Sequence, residues 1–253
     1  MKILSKLMML ALPVTLAACG GNGDKTCATD ANLNKTCTQN PTHTLPEGIW
    51  LGASTAGTNV AGASVMTIVL ETGQYYNLYT SSGAFLALVE GVMSATNNQF
   101  SDNAAVAIEN PYQVGATIVT GTFTPNVSMA GTAGTVGFNG TYAPIYTTPL
   151  AVSDVTGSWT DAQTGGPASL TINANGTFTG TNATCALSGT LTPRATGRHL
   201  LDGTVLLQNS GTTSCAFGNG ATLPFEATVV NGQLTAVGVT PQRDRAFVLN
   251  VVR

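Results

Sequence analysis

Apolar residues recur along most of this chain at period two, in short runs broken by glycine and asparagine. Period two is the mark of a strand with one face buried. At the C-terminus Phe247, Leu249 and Val251 share one face. Leu234 and Ala236 give a weaker alternation, because Val237 follows at once. Asn175-Gly176 and Asn231-Gly232 sit between apolar runs. They predict hairpins, since a type I′ turn needs positive φ at both central residues. No stretch carries an amphipathic helical period of useful length.

The strand rhythm occurs twice. Gly48-Ile49-Trp50 returns as Gly157-Ser158-Trp159, and these hold the only two tryptophans. Met66-Thr67-Ile68-Val69-Leu70, Thr72-Gly73 and Tyr75-Tyr76 follow the first. Ser169-Leu170-Thr171-Ile172, Asn175-Gly176 and Thr177-Phe178 follow the second. Leu88-Val89-Glu90-Gly91-Val92 then answers to Ala186-Leu187-Ser188-Gly189-Thr190-Leu191, after which the match loosens. A repeat of this length is one structural unit used twice. The predicted fold is all-β, with two tandem antiparallel up-and-down β-barrels at residues 47–147 and 153–253. Each unit should hold seven to nine strands in chain order. Closing into a barrel is how such a meander removes its exposed edges; a flat sandwich is the alternative. The join, about residues 142–155, is short and punctuated by Pro144, Pro149 and Asp154, so the units should pack on one another.

A Gly-x-Trp on the first strand of a barrel resembles the calycin class that includes lipocalins. The second copy is also similar to META-type and lysozyme-inhibitor lipoprotein domains. These resemblances imply calycin-like barrels whose tryptophans, Trp50 and Trp159, plug one end. Arg243 or Arg245 is a candidate to stack on the second of them.

Residues 1–18 have the parts of a secretion signal: Lys2 and Lys6, then the apolar run 7–16. That run is too short to span a hydrocarbon core of about 30 Å at about 1.5 Å per residue. Pro13 would also interrupt a helix. The run ends in Leu16-Ala17-Ala18-Cys19, which resembles the lipobox of bacterial lipoproteins. The resemblance implies cleavage before Cys19 and a covalent lipid on it. Two or three acyl chains would hold the protein firmly, at about 0.8 kcal/mol per buried methylene. Gly20 follows Cys19, and by the same resemblance delivery to the outer membrane is expected, facing the periplasm or the cell surface. Residues 19–46 are poor in apolar side chains and read as a flexible, lipid-anchored tether.

Only 8% of residues are charged, with a formal net charge of −3 and no basic cluster. That removes the electrostatic footprint of a nucleic-acid binder. With Cys19 assigned to lipid, Cys27, Cys37, Cys185 and Cys215 remain. An exported chain meets oxidising conditions, so these four should form disulfides. Three connectivities are open; Cys27–Cys37 and Cys185–Cys215 are favoured, each pair lying inside one compositional unit. A metal site is disfavoured by the long spacings and the lack of accompanying histidines.

The candidates for chemistry are thin. His43 falls in the tether, and His199 is expected on the surface. Its pairing with Asp202 and a serine is the weakest of catalytic readings. The carboxylates Glu71, Glu90, Asp102, Glu109, Asp154, Asp161, Asp202, Glu226 and Asp244 show no telling spacing. Gly131-Thr132-Ala133-Gly134 lacks the lysine and helix of a phosphate loop. Tyr75, Tyr76 and Tyr79 are the densest aromatic group; they are expected mainly in the core, with a pocket mouth or glycan-binding face as the alternative. No cofactor, metal or catalytic residue is expected. The expected role is a non-enzymatic binding or envelope-interaction module, with the membrane and an envelope protein or glycan as partners. The alternatives are an inhibitor of a lysozyme-like or protease-like enzyme, and a hydrolase with its site across the domain join.

Overall fold

The computed structural model describes residues 25–29, 35–39, 44–57, 60–110, 113–161, 168–182 and 184–253. The leader, Cys19 and His43 lie outside the described residues. The chain separates into two units, Met1–Thr42 and His43–Arg253.

In the first unit β1 (Lys25–Thr29) pairs antiparallel with β2 (Lys35–Gln39). The pair lies within the stretch read from the sequence as a tether. Each strand carries the same Lys-Thr-Cys opening, and threonine favours extended backbone. The register sets Cys27 opposite Cys37. The expected bridge between them involves side chains outside those described.

The second unit holds both barrels. The first is built from β3 (Gly48–Ala53), β4 (Ser64–Val69), β5 (Gln74–Ser81), β6 (Ala84–Val92), β7 (Ser94–Thr96), β8 (Gln99–Glu109), β9 (Gln113–Thr124), β10 (Ser128–Ala133) and β11 (Val136–Tyr142). Neighbours pair antiparallel, β3 meets β11, and β6 meets β8. Eight strands therefore close, and the short β7 lies along β8 as an addition. A 3-10 turn at Pro144–Thr147 and a one-turn helix α1 (Val152–Val155) form the join. The second barrel closes as β12 (Gly157–Asp161), β13 (Ser169–Ile172), β14 (Thr177–Asn182), β15 (Cys185–Pro193), β16 (Leu201–Asn209), β17 (Ala221–Val230), β18 (Gln233–Val239) and β19 (Ala246–Val252).

The repeat extends to individual hydrogen bonds. Trp50 Nε1 donates to the carbonyl of Pro46 at 2.9 Å, and Trp159 Nε1 to that of Val155 at 2.7 Å, each four residues upstream. Leu70 N donates to Gln74 O as Asn173 N does to Thr177 O, both at 2.8 Å. The glycine closing each of these turns, Gly73 and Gly176, has φ of 86° and 83°. Each also accepts through its carbonyl from the fourth strand's far end, from Met93 N at 2.9 Å and Leu191 N at 2.8 Å. A Cβ on either glycine would fall 2.6 Å from Met93 O or 2.3 Å from Leu191 O. Only glycine fits both the left-handed backbone and that approach.

The two Asn-Gly hairpins turn out to differ. Asn231 and Gly232 both have positive φ, 53° and 79°, as a type I′ turn requires. Asn175 is not left-handed; the turn there spans Asn173 to Gly176, closed by Gly176 N donating to Asn173 O at 2.9 Å. One extra residue before the Asn-Gly pair is enough to replace the two-residue loop.

The barrels pack side against side. Leu200, Val230, Val237 and Ala246 of the second barrel belong to the core cluster of the first. This explains the weak alternation of β18: Leu234 and Ala236 face their own lumen, while Val237 faces the other barrel. Strand β5 is buried on both sides for the same reason. Tyr75 and Tyr76 do point to opposite faces, yet both are in the core, at 1% and 3% exposure. Ion pairs join the barrels: Arg194 to Glu71 at 2.8 Å, Arg198 to Glu47 at 2.6 Å, and Arg243 to Glu90 at 2.6 Å.

Two expectations about single residues are corrected. His199 is buried, not on the surface, because its loop lies in the seam between barrel and join. Its Nδ1 is 2.9 Å from Thr148 O and its Nε2 2.9 Å from Val229 O. The guanidinium over Trp159 belongs to Arg253, 4.6 Å from the ring centroid, and not to Arg243 or Arg245. Arg243 is drawn instead to Glu90 of the first barrel.

Candidate binding site

Up-and-down closure gives each barrel a tryptophan end and an opposite loop end. In the second barrel both ends are shut. Phe178, Phe225 and Phe247 fill the lumen, with centroid separations of 5.9 and 5.5 Å, and leave a void of about 10 Å³. At the loop end, the long connection 210–220 folds back over the barrel. The disulfide Cys185–Cys215 ties it to the start of β15. Asn209 braces it, accepting from Cys215 N at 3.0 Å and donating its own N–H to Asn219 Oδ1 at 3.0 Å. Phe217 of this loop meets Phe247 edge-on at 6.5 Å.

The matching connection in the first barrel, between β8 and β9, spans only residues 110–112. It cannot cover the barrel. The lower lumen is filled, with Phe100 lying between Phe123 and Phe138 at 6.5 and 6.4 Å. Phe100 lies over Gly121, its partner in register, where a Cβ would come within 2.3 Å of the ring. Towards the loop end the inward positions shrink to Ala87, Val89, Ala107, Gly115 and Ala133. They leave a cavity of about 500 Å³ that Tyr79, Glu109, Gln113, Thr117 and Val136 also line. Val60 reaches it from the connection 54–63, which is pinned where Ser54 Oγ donates to Val60 O. Such a volume is within the range of small-molecule sites, roughly 300–1,000 Å³. A larger groove of about 570 Å³ lies where residues 97–99 meet the ends of β9 to β11, lined by Asn, Gln, Thr and Ser beside Phe123 and Met129.

One buried polar chain lies beside the cavity. Thr67 Oγ1 donates to Asn77 Oδ1 at 2.8 Å, and Asn77 Nδ2 donates to Tyr79 Oη at 2.8 Å. Asn77 is wholly buried, and Thr67 and Tyr79 nearly so. Burial pushes the Tyr79 phenol well above its ordinary value, and the Asn77 bond offsets only part of this. Of the three tyrosines raised by the sequence, Tyr79 alone reaches the cavity. Tyr75 bonds Asp102 Oδ2 at 3.2 Å, and Tyr76 accepts from Gln74 Nε2 at 2.8 Å and lies beside Glu226 of the other barrel. The tyrosine cluster was visible in the sequence; Glu109, Gln113 and Thr117 carry no signal there.

The candidate carboxylates are largely occupied with structure. Glu71, Glu90 and Asp202 are in ion pairs, Asp102 braces a bulge in β8 through Ala104 N at 2.8 Å, and Asp154 accepts from Ala151 N at 2.9 Å. Glu109 is the single carboxylate of the cavity. Among the described residues no cluster could hold a metal ion, and no helix is long and apolar enough to cross a membrane.

Glu226 is the exception, as its Oε2 is buried without a hydrogen-bond partner. Burial raises its carboxyl above the ordinary value of 4.5, and Tyr76 and Arg194 only partly offset this. A group raised by folding stabilises below its unfolded value and loses that contribution as pH climbs through its folded one. Glu71 runs the other way. Burial raises it, but hydrogen bonds from Arg194 and Thr196 outweigh that and hold it low, so its contribution is lost as pH falls. Glu226→Gln should therefore melt above the wild type near pH 7. The gap should narrow as pH falls, because burial makes the wild-type carboxyl take up its proton above the ordinary carboxylate value. Thermal melts of both proteins across that range check this, and a gap independent of pH would contradict it.

No protein-family model, curated protein or solved structure matches this chain.

Proposed function

We propose that this chain is a non-enzymatic, lipid-anchored envelope protein whose first barrel binds a small molecule at its open end. The observation that carries the reading is the difference between two copies of one barrel. The second copy is filled and capped by the disulfide-tied loop 210–220, whereas the first has a three-residue connection and a cavity of about 500 Å³. Two barrels of one plan that differ at this end make the first one's short connection a feature to be explained by use. Support for the anchor is Leu16-Ala17-Ala18-Cys19; it would place the barrels at the outer membrane through a lipid on Cys19.

The experiment uses Nile red, a neutral fluorophore that brightens in apolar surroundings, and protein released from the anchor by a Cys19→Ser change. Wild-type barrels should take up about one dye per chain. Ala107→Trp, which fills the cavity, should abolish uptake in a protein whose melting curve shows that it still folds. In cells, an alkynyl palmitate should label the unmodified protein and spare Cys19→Ser. No dye uptake removes the binding site, and an unlabelled wild type removes the anchor.

A second reading has its own support. The loop 210–220 is exposed at Thr212, Thr213 and Ser214 yet braced at both ends, the form of a rigid docking loop. It would suit an inhibitor of an envelope enzyme, or a contact with another envelope protein or a glycan. That reading predicts that substitutions at Thr212–Ser214, and none in the first barrel, abolish partner binding.

A further inference from the structure

The direction of the hydrogen bonds beside the cavity has a consequence for what it can hold. Thr67 uses its hydroxyl hydrogen on Asn77 Oδ1, and Asn77 uses its amide on Tyr79 Oη. The phenol oxygen is thus an acceptor within the protein. Among the described residues its own hydrogen meets no acceptor, and its ring forms part of the cavity lining. A phenol in that state has a donor to offer to whatever occupies the cavity. The remaining walls combine small apolar positions, with Ala87, Val89 and Ala107 nearest in register to β5, and the polar Glu109, Gln113, Thr117 and Thr135. No lysine or arginine lines the cavity, and Glu109 is its one charge. An anion would find no counter-charge and one repelling carboxylate.

We infer that the cavity takes an uncharged, largely apolar molecule with a carbonyl or ether oxygen at its inner end, and that Tyr79 reads that oxygen by donating its hydroxyl hydrogen. This rests on the open end of the first barrel being the binding site. Tyr79 is the specificity-determining residue: it separates ligands that carry the acceptor from hydrocarbons of the same shape. Asn77 and Thr67 are positioning residues, since they occupy the phenol's lone pair and leave its hydrogen to the ligand. Burial holds the phenol above its ordinary value, so it stays a donor at neutral pH.

The test is a matched pair of competitors, 2-acetylnaphthalene and 2-ethylnaphthalene, displacing Nile red from the wild type and from Tyr79→Phe. One added hydrogen bond should make the ketone displace the dye about five- to tenfold better than the hydrocarbon. In Tyr79→Phe the two should agree within about twofold, with the hydrocarbon's own affinity unchanged. A negatively charged analogue, 2-naphthoate, should compete worse than either in both proteins. Equal displacement by ketone and hydrocarbon in the wild type overturns the role of Tyr79 and leaves the binding site standing. Failure of Nile red to bind at all overturns the site and this inference with it. A ketone preference that survives in a folded Tyr79→Phe protein, checked by its melting curve, assigns the donor elsewhere and also overturns the inference.

Discussion

Replacing Trp50 or Trp159 by alanine is expected to destabilise the protein by about 3–5 kcal/mol, the usual cost of emptying a buried aromatic site. The two indoles are 1% and 2% exposed. Each removes a full ring from the closed end of its barrel, and each also strands a partner. Loss of Trp50 leaves the Pro46 carbonyl without its donor and Tyr142 without the edge-to-face neighbour 5.2 Å away. Loss of Trp159 leaves the Val155 carbonyl bare and takes the π face from under Arg253. Trp159→Phe separates these contributions. It keeps most of the apolar area and an aromatic face but no indole N–H, so it should cost clearly less than alanine. Urea denaturation of the three variants would show it, and alanine and phenylalanine variants of equal stability would contradict the plug.

The same tryptophans show which parts of this fold the sequence could reveal. A Gly-x-Trp before a strand, twice, is a local pattern. It announced the repeat and the two buried tryptophans because both follow from one short segment and its immediate neighbours. Turn chemistry was legible to the same degree: Gly73 and Gly176 are forced by backbone geometry, whereas Asn175-Gly176 misled because the preceding Asn173 offers a longer turn. What lay out of reach depends on distant surfaces meeting. Tyr76 and Val237 are buried because the barrels pack together, so alternation along β5 and β18 failed as a guide to exposure, and His199 is buried against the join. Arg243 found Glu90 on the other barrel before it could cover Trp159. The cavity was illegible for another reason. It is made of what its walls lack, a run of Ala and Gly at inward positions and a connection eight residues shorter than its counterpart. Neither is a motif.

That difference in length bears on the last expectation. Serine at both Cys185 and Cys215 should cost about 2–5 kcal/mol, as for other native disulfides, and the chain-entropy model places a loop of this size at about 3–4 kcal/mol. The bridge spans 30 residues of sequence, and its two cysteines are 3% and 6% exposed. Without it only non-covalent contacts tie the loop 210–220 to the barrel, among them the two Asn209 hydrogen bonds, Gly220 N on Leu207 O at 2.8 Å and Phe217 on Phe247. The loop end of the second barrel should then exchange its amide hydrogens faster, while the tryptophan end stays protected. Opening that end does not create a second site, because Phe178, Phe225 and Phe247 already occupy the lumen. Nile red should therefore still bind at about one per chain in the double-serine variant. A second equivalent of dye would mean that the cover, and not the filled interior, is what distinguishes the two barrels, and the first barrel's cavity would lose its claim to be the specific one.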